Sequence, residues 1–152
     1  MTVSIHKRKR IDASAASRAE DPSARCLIWW RSKLAGEFDA DALQTMRSSL
    51  SEIAIIGEDR WRDAAAGDAA AAIGIVYGLK RGPTHGGIFD AGMTALALAA
   101  GMGDAAACLV LATVLRGVPG AGTAEASIAT TWLARAFASH HSILRRRTGD
   151  AS

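Results

Sequence analysis

Ala99-Ala100-Gly101-Met102-Gly103-Asp104-Ala105-Ala106-Ala107 echoes Ala64-Ala65-Ala66-Gly67-Asp68-Ala69-Ala70-Ala71, and from Gly67 to Gly103 the two Gly-Asp-Ala-Ala-Ala strings are offset by 36 residues. In each string a glycine marks the junction between two helices. The aspartate can then satisfy the free amides of the next helix, and the alanines propagate it. A junction of this kind recurring at this period in a short chain marks stacked helical hairpins, an architecture that serves binding more often than catalysis.

The echo extends outward from the strings. Pro83 and Pro119 follow small-residue breaks, Gly78 to Gly82 and Gly117, at the same offset. Each break leads into a second Ala-rich segment, residues 88–100 and 124–138. Ala99-Ala100 and Ala136-Phe137 stand one residue further apart than the junctions do, which places an added residue in the second loop. Each unit therefore reads helix, Gly/Pro turn, helix. The first helices span 68–80, presenting Ile73, Val76, Tyr77 and Leu79, and 104–116, presenting Cys108, Leu109, Leu111, Val114 and Leu115.

Ahead of the repeats, Cys26-Leu27-Ile28-Trp29-Trp30 begins the apolar content abruptly, and with Leu34 and Phe38 it reads as a short helix docking its indoles on the repeats. Asp39 or Asp41 caps a helix whose apolar positions Leu43, Met46, Leu50, Ile53 and Ile56 share one face, with Gly57 ending it. Glu58-Asp59 then start a shorter helix that carries Trp61 inward. Two repeats alone leave both ends of a stack uncovered, so residues 39–66 and the segment through Ile143-Leu144 are the expected caps.

The chain of 152 residues is a single domain by length. Alanine dominates its apolar content and no Val/Thr/Tyr alternation argues for a sheet, so the fold class is all-α: a short α-hairpin solenoid of tetratricopeptide-like repeats with a capping helical segment. The divisions are a basic N-terminal tail over 1–25, expected to be disordered, and a helical-repeat domain over 26–144. Within that domain 26–66 is the cap, 67–102 the first repeat and 103–139 the second, and a basic tail covers 145–152. Cys26 and Cys108 are distant and in unlike contexts, which favours a reducing compartment. Residues 1–25 lack the apolar core of an export signal, so a cytoplasmic location is expected.

Gly67-x-Ala69-x-Ala71 and Gly103-x-Ala105-x-Ala107, followed by Leu111-Ala112, Gly117-Val118-Pro119, Ala129-x-x-Trp132 and Ala136, resemble the Sel-one-like repeat, a relative of the tetratricopeptide repeat. The resemblance covers about residues 61–140 and is closer in the second unit. The first unit carries Val76 and Leu79 at the family's small and aromatic positions and Ala95 where Trp would stand. The resemblance implies an antiparallel α-hairpin stack that holds a protein or peptide as an adaptor, as in bacterial signalling, secretion and envelope systems, and it implies no reaction.

The residues themselves favour no chemistry. His6, His85, His140 and His141 have no partner at metal-ligand spacing, because adjacent histidines on a helix point about 100° apart. Neither a nucleophile in a strained strand-to-helix turn nor an oxyanion motif is present, and Gly82-Pro83-Thr84-His85-Gly86-Gly87 has no phosphate-binding context, so it reads as a turn. The expected function is a non-enzymatic interaction module without cofactor or metal. Its candidate partner site is Tyr77, Lys80, Arg81 and Arg116 at the ends of the first helices, which would line a concave groove, with Trp29 and Trp30 as further anchors.

Charge supplies an alternative. Residues 1–36 and 135–152 are basic and the repeats between them are acidic. Lys7, Arg8, Lys9 and Arg10 with Arg145, Arg146 and Arg147 could bind nucleic acid or an anionic surface, and seven engaged charges would give a salt slope on the order of −6. A second alternative is membrane association, because residues 91–115 contain a single charge, Asp104. Against it, that charge and two glycines sit at the centre of the stretch.

Overall fold

A computed structural model describes residues 25–80, 86–118 and 120–149, the side chains of 143–149 excepted. Lys7, Arg8, Lys9, Arg10, Arg81, Pro83, His85 and Pro119 lie outside the described residues. All elements are helical, and no strand occurs among the described residues. Two short 3-10 helices, Cys26–Arg31 and Ala35–Glu37, precede α1 (Ala40–Ser51), α2 (Trp61–Ala66), α3 (Ala69–Leu79), α4 (Gly87–Gly101), α5 (Ala105–Gly117) and α6 (Thr123–Gly149).

The two Gly-Asp strings adopt the same junction. Gly67 and Gly103 have φ of 104° and 100°. Gly67 N donates to Ala64 O and Asp68 N to Asp63 O, both at 3.0 Å. Gly103 N donates to Ala100 O at 3.0 Å and Asp104 N to Ala99 O at 3.2 Å. The following aspartate, at ψ 116° and 117°, accepts from the amide three residues on: Ala71 N to Asp68 at 2.6 Å, Ala107 N to Asp104 at 2.8 Å. This is a left-handed glycine terminus fused directly to an Asp cap, which closes one helix and opens the next within two residues at the first junction and three at the second. Asp39 caps α1 in the same way, accepting from Ala42 N at 2.8 Å.

The second junction also corrects the membrane-spanning reading of 91–115. That stretch breaks at Met102–Asp104 into α4 and α5, and no helix among the described residues is long and apolar enough to cross a membrane.

At the centre of the core stands α4, the second helix of the first unit, rather than either first helix. Every residue from Ala91 to Gly101 is buried. Packed around it are α3, α5, α1, α2 and the Cys26–Arg31 helix. Small residues make that crowding possible. A Cβ at Gly92 would stand 2.9 Å from Leu79 Cδ1, and one at Gly101 2.5 Å from Leu43 Cδ2. Such a helix, apolar all round, is stable only when enclosed.

Expectations for 39–66 need two corrections. Met46, Leu50 and Trp61 enter the core, but α1 ends at Ser51 rather than Gly57, and α2 begins at Trp61 rather than at Glu58-Asp59. Ser48, Ser49 and Ser51 followed by β-branched Ile53, Ile55 and Ile56 are weak helix formers. Ile53 N turns back to Leu50 O at 3.1 Å, and Trp61 Nε1 donates to Ile53 O at 2.8 Å, fixing the segment as a loop. Ile56 is consequently 96% exposed.

Polar side chains tie the chain before α1 to the helices. Trp30 Nε1 donates to Asp90 Oδ1 at 3.1 Å, and the buried Thr94 hydroxyl to Leu27 O at 3.0 Å. Arg135 on α6 donates to Ala35 O at 2.7 Å and Gly101 O at 2.6 Å, while Thr131 Oγ1 accepts from Ala35 N at 3.0 Å. Trp132 is wholly buried with its ring 5.0 Å from Phe38, as hairpin core. The indole Nε1 has no acceptor among the described residues, and the ring is held by packing against Phe38 and under the Arg135 guanidinium.

Candidate functional site

A Cβ at Gly67 would meet Met102 and Leu98, and one at Gly92 would meet Leu79, Ile75 and Val76, so α3 and α4 are antiparallel. The tight junction at 102–104 turns α5 back along α4, bringing Cys108 Sγ within 3.5 Å of Ala100 O. Hence α3 and α5, which touch, run in the same direction and end at the same side of the fold. Three of the expected partner residues belong to those ends. Tyr77 is half exposed on α3, Lys80 is exposed at its C-cap, and Arg116 is exposed in the last turn of α5. Arg81, named with them, lies outside the described residues.

The two indoles separate. Trp30 is 2% exposed, edge-on to Phe89 at 6.0 Å with Arg31 5.5 Å from its ring, which removes it from the accessible site and makes it core. Trp29 is half-buried with Lys33 Nζ 4.7 Å from its ring centroid, leaving a cation–π face at the surface. Arg145, Arg146 and Arg147 fall on α6, whose backbone continues as helix to Gly149, rather than on a separate tail after 144.

The cavity lies elsewhere. An open groove of about 750 Å³ runs between the end of α1, the loop 52–59 and α2. The buried Leu50, Trp61 and Ala65 back it, Ile53, Ala54 and Ile55 supply apolar surface, and Glu52, Glu58, Asp59 and Asp63 contribute four carboxylates against Arg47 and Arg62. Sequence periodicity missed this groove by continuing the helix through Ile56. The serines and the isoleucine run were the available signal.

Electrostatic perturbation is confined to three separate groups among the described residues. Burial raises the Asp90 pKa above its ordinary 3.8, while the nearby Arg31, at 3.8 Å, and the Trp30 hydrogen bond pull it down. Burial pushes the Cys108 thiol up to about 11, against a smaller lowering by Arg135. At the start of α6, Glu125 accepts from Gly122 N at 2.8 Å, and that bond lowers its pKa. Each shift follows from packing or capping. Among the described residues no group of three His, Cys, Asp or Glu side chains comes together to hold a metal. Comparison with known proteins finds no matching family model, no matching curated protein and no matching solved structure.

Proposed function

We propose that the chain is a non-enzymatic interaction module of tetratricopeptide-like hairpins, of the Sel-one-like pattern, that captures an acidic protein or peptide segment where α3 and α5 end. The observation that carries this reading is the placement of Tyr77 one turn before Lys80, with Arg116 on the parallel neighbouring helix. A half-exposed aromatic ring beside cations is the composition of a peptide anchor, and the tightly packed α4 behind it keeps the surface preformed. The repeated Gly-Asp junction supports the hairpin-repeat part of the reading, and the buried Cys26 and Cys108 suit a reducing, cytoplasmic setting.

Both cations also complement helix dipoles, so the test must separate binding from stability. Purified chain is screened on an array of acidic peptides with and without aromatic residues, alongside Lys80→Glu/Arg116→Glu. The expected result is capture of acidic, aromatic-bearing peptides by the native chain and loss by the variant, with an unchanged helical circular dichroism spectrum. Unchanged capture by a folded variant, or no acidic peptide captured at all, overturns the reading. Phosphate binding through Lys7–Arg10 and Arg145–Arg147 is the competing reading, and it predicts instead DNA affinity that falls steeply with salt and disappears on removing residues 1–24.

A further inference from the structure

We infer that the groove between α1 and α2 receives the C-terminal half of α6 from a second copy of this chain. The inference is independent of the α3/α5 site and begins with length. α6 has 27 residues and its hairpin partner α5 has 13. At 1.5 Å per residue they measure about 40 Å and about 20 Å, so half of α6 outruns the helix it packs on. Burial agrees: Ile128, Ala129, Trp132 and Ala136 are buried, whereas Phe137 is 61% exposed and Ala138, His140 and His141 are exposed too. Ala136 is the last buried residue of α6 among those whose side chains are described, while the helical backbone continues to Gly149 as a stiff rod that has already met much of the entropic cost of ordering.

That rod has a seam and a charge. Leu133 and the exposed Phe137 stand four residues apart and so share one side of the helix, with His140 three residues further on, and the sequence has a leucine at position 144. From Arg135 to Gly149 the sequence contains four arginines and two histidines and no carboxylate. The groove has the complementary composition. Ile53, Ala54 and Ile55 offer apolar surface, four carboxylates outnumber two guanidinium groups, and the almost wholly exposed Ile56 stands on the same loop. An apolar helix face with basic flanks entering an apolar groove with an acidic rim is a recurrent mode of recognition. The groove lies on α1 and α2, while α6 is held by α5 and by the Ala35–Glu37 turn, so the helix that fills it belongs to another copy.

Three or four helical turns in a groove bury less than about 1,200 Å², the range of weak association, so the effect is sought at high concentration. Sedimentation velocity of the full chain, from low micromolar to several hundred micromolar, should show mass rising with concentration and falling with added salt. Glu52→Lys/Asp59→Lys reverses exposed groove charges, and Arg145→Glu/Arg147→Glu reverses the helix. Each variant alone should self-associate at least about tenfold more weakly. Mixed in equal amounts they should associate again, since each helix then meets a groove of opposite sign. Circular dichroism of both variants checks that the fold is retained. A native chain that stays monomeric throughout, an association that neither variant weakens, or a mixture that fails to restore it overturns the inference. A monomeric chain whose Arg145→Glu/Arg147→Glu variant loses DNA binding would instead assign the arginines to phosphate.

Discussion

Replacing Arg135 with methionine should cost about 2 kcal/mol of stability. The guanidinium makes two short hydrogen bonds, to Ala35 O and Gly101 O, and lies 5.8 Å from the Trp132 ring. Hydrogen bonds from a charged donor contribute about 1.5–3 kcal/mol each, and the lower end applies because Arg135 is only half-buried and water can reach the carbonyls when the donor is gone. The two bonds then give about 3 kcal/mol and the partly exposed cation–π contact about 0.5 kcal/mol. Regained side-chain freedom offsets up to about 2 kcal/mol, while Gly101 O, at the C-terminal end of α4, is left without its partner. A net loss near 2 kcal/mol corresponds to a melting temperature roughly 6 °C lower for a chain of this size. Urea titration followed by tryptophan fluorescence measures it, since Trp132 and Trp30 both lie in the affected core. Arg116→Met, at an exposed position, is the control and should stay within about 0.5 kcal/mol of the native chain. An Arg135→Met variant indistinguishable from that control would refute the bridging role given to this side chain.

Other positions make sharper contrasts. Asp90→Ala strands the Trp30 indole N–H and should cost about 1–3 kcal/mol, whereas Asp90→Asn keeps an acceptor and should cost less by denaturant titration. Because burial raises the Asp90 pKa, the native state holds this proton more tightly than the unfolded chain. Its contribution to stability therefore falls as pH rises from 3.8 through the raised value, and Asp90→Asn should remove that slope from a pH series of melts. Gly103→Ala should cost about 1–2 kcal/mol through its left-handed backbone alone, since a Cβ there meets nothing within 4 Å. Ala107→Glu, at a fully buried site, should abolish cooperative thermal unfolding. Cys108, buried with its thiol near pKa 11, should resist alkylation at pH 8 until denaturant is added, as read by mass spectrometry.

Local punctuation was legible in the residues themselves. A glycine, a capping aspartate and an alanine run act within a few residues, so the junctions at Gly67-Asp68 and Gly103-Asp104 and a helix start at Asp39 or Asp41 could be read without knowing what surrounds them. Tertiary contact decided what no local pattern encodes. Whether α3 or α4 is central depends on which helix the segment before α1 covers, and that segment is secured by Asp90, Thr94, Thr131 and Arg135, residues 60 to 100 positions away from their partners. Trp29 and Trp30 are chemically identical neighbours, and only the packing of Phe89 and Asp90 makes one of them core. The groove arose the same way. The apolar spacing through Ile56 suits a helix face, but β-branched crowding and the Trp61 to Ile53 hydrogen bond turn it into a loop, and a loop folded beside a helix leaves a hollow that periodicity cannot record.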